Sequence, residues 1–353
     1  MNTKSSGRFQ DREMSEVRVV REKAIAGAAL LLAAFVLMGL GWFQLEQALS
    51  PVDPQEKEKV EVVIPPASST SQVAEILKEQ GLIRNKTVFL WYCRLRDVDQ
   101  KLKAGTYGFS KSQGVADIVE DLVQGRVMTQ VFTVPEGYDL MQIGRLLADK
   151  GICDLEEFKQ AVREDYDYPF LDGLPYRENR LEGFLFPDTY RVPRDVTPHQ
   201  VIDVMLTRFE QVWKTRFEAE ARQQGRSVYE VVTLASLVEK EARIDEERPI
   251  IAGVLENRLR KGMLLQVDAT VLYSLGEHRQ QVTYKDLEVD SPYNTYRYPG
   301  LPPGPIASPG AASIAAVLNP ARHDYYYYVY VGDGRHYFSK TYEEHLRVKN
   351  SHR

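Results

Sequence analysis

Only two cysteines occur in 353 residues, Cys93 and Cys153. They stand too far apart for a CxxC redox or zinc motif, so one disulfide and two free thiols are both open. A basic excess is missing as well: 45 lysines and arginines against 50 aspartates and glutamates leave a net charge of −5, which removes the electrostatic case for a nucleic-acid partner. The low hydrophobicity of a disordered chain is also absent. With 43% hydrophobic and 10% aromatic residues, the chain can bury a core and is long enough for two or three compact units.

Charge is withheld entirely from residues 24–43, AIAGAALLLAAFVLMGLGWF. Twenty apolar residues at about 1.5 Å rise each match a hydrocarbon core of ~30 Å, and a signal-peptide core would be shorter and followed by a cleavage pattern. The run therefore reads as a transmembrane helix. Arg18, Arg21 and Lys23 flank it on one side, Glu46 and Asp53 on the other, which puts residues 1–23 in the cytoplasm as a tail. The expectation is a single-pass protein of the plasma (inner) membrane whose chain from about residue 45 onward is extracytoplasmic.

Residues 44–60 include SPVDPQEKEKV, two prolines in dense charge without apolar periodicity, and read as a stalk. A repeat follows. IPPASSTSQVAEILKEQGLI from Ile64 and VPEGYDLMQIGRLLADKGIC from Val134 lie 70 residues apart, matching Pro65 to Pro135, Gln72 to Gln142, Leu77 to Leu147 and Gly81 to Gly151. Each copy predicts a strand, a turn, an amphipathic helix and a glycine stop. The first copy, with two helices and short strands, forms a small α/β module over 61–130 that looks LysM-like, a carbohydrate binder or a spacer. Residues 131–228 hold the second copy and a connecting region, helical and aromatic from Asp154 to Gln224, with a turn-rich insert LEGFLFPDTY at 181–190. Residues 229–353 form the last domain, closing with a hairpin around Gly332-Asp333-Gly334 and a helix that Ser339 or Thr341 can cap.

That domain begins with VVTLASLVEKEARIDEER, residues 231–248. On a helical wheel Val231, Leu234, Leu237, Val238 and Ala242 form an apolar face, and Thr233, Ser236, Lys240 and Arg243 a polar one. Glu239 and Glu241, two residues and about 200° apart, cannot share a face. Glu239 borders the polar side one turn before Arg243, the orientation of an ordinary surface ion pair worth about 0.3–0.5 kcal/mol. Glu241 falls in the apolar stripe, where desolvation raises the pKa and keeps the proton that a general acid needs. The competing reading of this window is a helix that simply ends, with Glu241 solvated. The helix has no histidine for a zinc-hydrolase pair, and neither a metal nor a cofactor is expected.

LEGFLFPDTY at 181–190, ASLVEKEAR at 235–243, KGMLLQVDATVLYSLG at 261–276 and SPYNTYRYPGLPPGPIASPG at 291–310 together resemble the membrane-anchored endolytic murein transglycosylases, the MltG or YceG-like family. The resemblance implies cleavage of the β-1,4 bond between N-acetylmuramic acid and N-acetylglucosamine in nascent peptidoglycan strands, leaving 1,6-anhydromuramoyl ends. It implies Glu241 as the catalytic residue, at the glutamate of a Glu-Ser pattern in which Ala242 here replaces the hydroxyl residue. Gln266 and Asp268 match the GLMQVD stretch of goose-type lysozymes, and Tyr293 and Asn294 the Tyr-Asn of a substrate loop. Glu239, Gln266, Asp268, Tyr293, Asn294 and Tyr296 are thus the supporting or substrate-binding candidates. Asp268 could instead cap a helix beginning near Ala269, and GLPPGPIASPG, residues 300–310, reads as a rigid wall of the cleft. The implied fold is α+β: one transmembrane helix, the LysM-like module, and a mostly helical lytic-transglycosylase-like catalytic domain with a β-hairpin. Peptidoglycan glycan strands are the expected partner, with the cell-wall synthesis machinery a further one. Lysozyme-type hydrolysis, in which Asp268 gains weight, and a non-catalytic, membrane-tethered glycan scaffold are the alternatives.

Overall fold

The computed structural model describes residues 31–32, 35–174, 179–277, 279 and 281–352. It divides into two compact units, Met1–Met128 and Thr129–Arg353, each with its own core. Residues 35–49 are helical. The predicted transmembrane run 24–43 lies partly outside the described residues, at 24–30 and 33–34, and among the described residues no helix is long and apolar enough to cross a membrane.

The first unit runs β1 (Lys59–Ile64), α1 (Thr70–Glu79), α2 (Lys86–Leu95), β2 (Gly105–Ser110), α3 (Val115–Gln124). β1 and β2 pair antiparallel from Lys59 with Ser110 to Ile64 with Gly105. Alternation turns Val62 and Ile64 inward and leaves Glu61 and Val63 exposed. Ser69 and Gln72 close a capping box that starts α1, and Gly81, at φ +67°, ends the turn after it in a conformation glycine adopts without steric cost. Val73, Leu77, Phe89, Tyr107 and Phe109 fill the space between the helices and the strand pair.

The second unit repeats this order with β3 (Thr129–Thr133), α4 (Leu140–Asp149), α5 (Leu155–Val162) and β4 (Thr189–Pro193). β3 and β4 pair antiparallel from Thr129 with Pro193 to Thr133 with Thr189, and Asp139 with Gln142 forms the capping box of α4. The closing strand corrects the reading of 154–224 as helical with a turn-rich insert: it begins within that insert and runs on to Pro193. Five residues whose partners lie some 60 positions away carry no local signal beyond the alternation of buried Tyr190 and Val192.

The remaining elements are α6 (Pro198–Arg216), α7 (Glu218–Gln223), α8 (Val228–Glu241), α9 (Arg248–Arg260), α10 (Asp268–Leu275), α11 (Ala311–Leu318), the hairpin β5 (Tyr327–Gly332) and β6 (Arg335–Ser339), and α12 (Tyr342–Ser351). The hairpin turns at the predicted Gly-Asp-Gly, and Thr341 caps α12 by accepting from the Glu344 amide. α8 is the central strut, packed against α9 and α11. Every residue from Val231 to Val238 is buried, each valine or leucine stabilising the fold by about 1.5–3 kcal/mol. A helix surrounded on all sides has no solvated face. This overturns the two-faced wheel: Thr233 and Ser236 are as buried as the leucines, and the Ser236 hydroxyl donates to the Thr233 carbonyl at 2.7 Å while accepting from the Ile306 amide at 3.1 Å.

The segment 300–310 runs along this strut. The Ser308 amide donates to the Tyr138 carbonyl and the Gly137 amide to the Ser308 carbonyl, both at 2.8 Å, so the β3–α4 loop and the proline-rich segment brace each other. Gly183 makes the same packing possible from the other side: it sits at φ +83°, and a Cβ there would stand 2.6 Å from Pro305 Cβ and 3.0 Å from Val232 Cγ1. Gly183→Ala combines left-handed backbone strain of about 1–2 kcal/mol with overpacking of about 1–3 kcal/mol. It should lower the thermal midpoint by several degrees, measured by circular dichroism. Both cysteines are free thiols; burial pushes the Cys93 thiol up to about 12 and that of Cys153 up to about 11, so neither is activated.

Candidate active site

A cavity of about 1590 Å³ opens in the second unit where α8 ends. Glu239, Glu241, Gln266, Asp268 and Tyr296 line it, five of the seven residues singled out from the sequence. Tyr293 and Asn294 do not. Asn294 is fully buried, its Nδ2 donating to the Leu287 and Val289 carbonyls at 2.9 and 2.8 Å and its Oδ1 accepting from the Tyr296 amide at 3.0 Å. It clamps the loop that presents Tyr296. The Tyr293 ring packs 4.9 Å from that of Tyr273. Of the proline-rich segment only Ile306 reaches the cavity, so that segment supports α8 from behind more than it walls the cleft.

Glu241 is the last residue of α8; Ala242 leaves the helix in an extended conformation. Tyr328 of β5 donates its hydroxyl to Glu241 Oε2 at 2.9 Å. Burial pushes the Glu241 carboxyl up to about 7, Asp268 adds to the rise, and the Tyr328 hydrogen bond with the Arg243 and Arg258 charges opposes it. The negative end of the α8 dipole also disfavours a carboxylate there. No other described residue hydrogen-bonds the carboxyl, which leaves Oε1 for a transferable proton. The desolvation expected from the sequence is present, but at the helix end, where the hairpin brings Tyr328 against Glu241, rather than along a stripe on the helix.

Glu239 departs from its reading. It makes no pair with Arg243; its side chain is only 6% exposed and lies 3.1 Å from Arg248 Nη1. Its Oε2 accepts from the Gly310 amide at 3.0 Å and the Ser313 hydroxyl at 2.9 Å. Arg248 holds Asp245 as well, at 2.9 Å, and Glu136 stands 3.9 Å from its Nη2. Glu136 crowds Gly310 so closely that a Cβ there would lie 1.9 Å from its Oε1, and burial followed by the neighbouring Glu239 charge raises its pKa. A surface pair is thus replaced by a buried network at the junction of α8, α9 and α11.

Asp268 does not cap α10. It is the first helical residue, Val267 stands at the N-cap without a side-chain bond, and Asp268 Oδ1 accepts from the Tyr296 hydroxyl. Just before it, Gln266 takes φ +51°, a conformation non-glycine residues adopt at a cost of about 1–3 kcal/mol. Thr295 holds it there: the Gln266 amide donates to the Thr295 carbonyl at 3.1 Å and the Val267 amide to the Thr295 hydroxyl at 2.9 Å.

Several cavity residues escaped the sequence reading. Arg258, 7% exposed, donates to the Tyr326 and Leu265 carbonyls at 2.6 and 2.7 Å and lies over the Tyr327 ring; its one clue was a position i+4 to the buried Val254. Glu182, from the LEGFLFPDTY insert, accepts from the Leu140 amide and from the Tyr273 hydroxyl at 3.2 Å, and burial pushes it up to about 8. His336 and Glu247 pair at 2.7 Å, tying the hairpin to the turn after α8. Among the described residues no group of three or more His, Cys, Asp or Glu could hold a metal ion.

The sequence profile of the YceG-like family matches residues 62–351. An endolytic murein transglycosylase of Bacillus subtilis is 34% identical over 330 residues, 90% of this chain and 91% of that protein. One from Streptococcus pneumoniae is 32% identical over 361 residues, 94% of this chain and 65% of that longer protein. The crystal structure of a yceG-like protein from Listeria monocytogenes, 37% identical, covers 83% of this chain and 99% of its own at a TM-score of 0.57. The chain belongs to the YceG-like family.

Proposed function

We propose that the chain is an endolytic murein transglycosylase in which Glu241 acts first as acid and then as base. One observation carries the reading: a carboxyl held near 7 at the floor of a large open cavity, with one oxygen anchored by Tyr328 and the other unengaged. Protonated Glu241 gives its proton to the glycosidic oxygen as the bond to muramoyl C1 breaks and C1 gains oxocarbenium character. The carboxylate so formed is stabilised by the Tyr328 hydroxyl and the charges of Arg258 and Arg243. It then takes the proton of the C6 hydroxyl as that oxygen closes on C1, giving the 1,6-anhydro ring. Atoms balance without water, metal or cofactor.

Asp268, held by Tyr296, faces the same cavity and fits stabilisation of positive charge at C1; Gln266 fits a sugar hydroxyl. The 61–130 module has the strand, helix, helix, strand order of a LysM-like glycan binder, and the apolar run 24–43 serves as a membrane anchor that leaves the enzyme outside the cytoplasm, beside the machinery that makes new strands. Murein sacculi incubated with residues 45–353 should yield strands ending in anhydromuramic acid. Reducing muramic ends would mean hydrolysis and a lysozyme-type reaction, and no release at all would leave a glycan-binding scaffold.

Tyr328→Phe separates the two halves of this scheme. The Tyr328 hydrogen bond holds the Glu241 pKa down, so removing it should shift the alkaline limb of the rate profile to higher pH. It also withdraws a donor from the carboxylate of the second step, which lowers the plateau rate; a lost hydrogen bond to a charged group is worth about 1.5–3 kcal/mol, or about 10–100-fold. An unmoved alkaline limb would detach Tyr328 from the chemistry.

A further inference from the structure

We infer that the outer face of α2 rests on the headgroup layer of a lipid bilayer, using Trp91 and Leu95 as apolar contacts and Arg94 and Arg96 as partners for anionic headgroups. The inference goes beyond the catalytic reading and builds on the expected anchor at 24–43. Trp91 and Leu95 stand one helical turn apart on α2 and are 61% and 71% exposed. Opposite them Phe89 and Cys93 carry the helix into the core of the first unit. A small module gains nothing in water from presenting a tryptophan and a leucine side by side, whereas an aromatic ring with a nearby leucine and flanking arginines is the composition of an interfacial helix face.

The anchor joins the module close to the start of α2. The helix over 35–49 continues past the end of the uncharged run at Trp42 and Phe43, and Leu49 packs on the core of the first unit. From Phe43 to Leu49 is a rise of about 9 Å, hardly more than the 5–7 Å of one headgroup layer. Arg84, two residues before α2, then donates to the carbonyls of Pro51 and Val52, both at 2.9 Å. The start of α2 is therefore tied to the residues just after the helix that carries the anchor, and Trp91 lies about 10 Å from Arg84 measured along α2. Arg94 has no ion-pair partner among the described residues, and Arg96 lies over the Tyr92 ring at 5.6 Å. The acids that follow α2 are Asp97, paired with Lys101 at 3.3 Å, and Asp99 near Cys93, so Arg94, Arg96 and Lys101 outnumber them three to two. That favours anionic phospholipid over a neutral surface by attraction of each arginine to the headgroup charge.

The test uses the full chain reconstituted in phosphatidylcholine vesicles, with and without phosphatidylglycerol, whose acyl chains carry bromine as a contact quencher. Comparing the protein with its Trp91→Phe and Trp42→Phe variants isolates the emission of each tryptophan, Trp213 being a buried constant. Trp91 emission should be blue-shifted, should lose most of its intensity in brominated vesicles and should resist aqueous iodide. Arg94→Gln with Arg96→Gln should reduce that quenching in vesicles containing phosphatidylglycerol and leave it unchanged in neutral ones. A Trp91 that iodide quenches and brominated lipid does not would overturn the inference, as would one whose emission answers to soluble chitin oligosaccharides instead. Trp42 reports separately on the anchor: unquenched Trp42 removes the membrane span, while quenched Trp42 beside unquenched Trp91 removes only the docking.

Discussion

Glu241→Gln should give a folded protein that releases no anhydromuramoyl ends from sacculi, a loss of at least about 10²–10⁴-fold, the usual contribution of one general acid or base. Glutamine keeps the shape of the side chain and the bond from Tyr328 but has no proton to give and no charge to receive one. Stability supplies an independent check. A carboxyl whose folded pKa is raised from 4.5 to about 7 binds its proton more tightly in the folded state. Its contribution is fully present below pH 4.5 and is lost as pH rises through 7. The wild type should therefore lose thermal stability between pH 5 and 8 relative to Glu241→Gln, and the two melting curves should approach each other toward pH 4. An active Glu241→Gln enzyme, or a stability difference independent of pH across that window, would move the acid to another residue.

The parts of the fold that could be read from the chain are those whose causes are local. Ser69 with Gln72 and Asp139 with Gln142 announce two helix starts by capping chemistry, glycines follow both helices, and Gly332-Asp333-Gly334 marks the hairpin. β4 was not legible because its partner β3 lies across the whole α4–α5 excursion. The site divides the same way. Glu241 stood out because a carboxylate in a run of valine, leucine and alanine conflicts with its surroundings, whatever buries it. Tyr328 was one tyrosine in a row of four, and only strand pairing decides which of them meets the end of α8. Glu239 misled because a helical wheel assumes one wet face; from Val231 to Val238 α8 has none, and the Glu239 charge finds its partner across a turn, on α9.

That partner makes Arg248 the second position where a large effect is expected. Arg248 is 9% exposed and holds Glu239 at 3.1 Å and Asp245 at 2.9 Å, with a further bond to the Ser313 hydroxyl and Glu136 at 3.9 Å. Arg248→Met keeps the aliphatic bulk but leaves the Glu239 side chain buried without a counter-charge and close to Glu136, whose pKa it already raises. Breaking a buried pair from one side costs about 3–5 kcal/mol, far above the ~0.5 kcal/mol of an exposed pair. Urea denaturation at pH 7 should show that loss. Adding Glu239→Gln to Arg248→Met should recover part of it, because the orphaned charge disappears and the glutamine can still accept from the Gly310 amide. Acidification should act in the same direction: as the Glu136 carboxyl, whose pKa burial and the Glu239 charge already raise, takes up its proton, the repulsion between the two side chains fades and the single variant should approach the wild type. If Arg248→Met costs no more than a surface pair, or if the double variant is weaker by the simple sum of the two singles, the carboxylates are not electrostatically coupled through Arg248 and the junction of α8, α9 and α11 is held by packing alone.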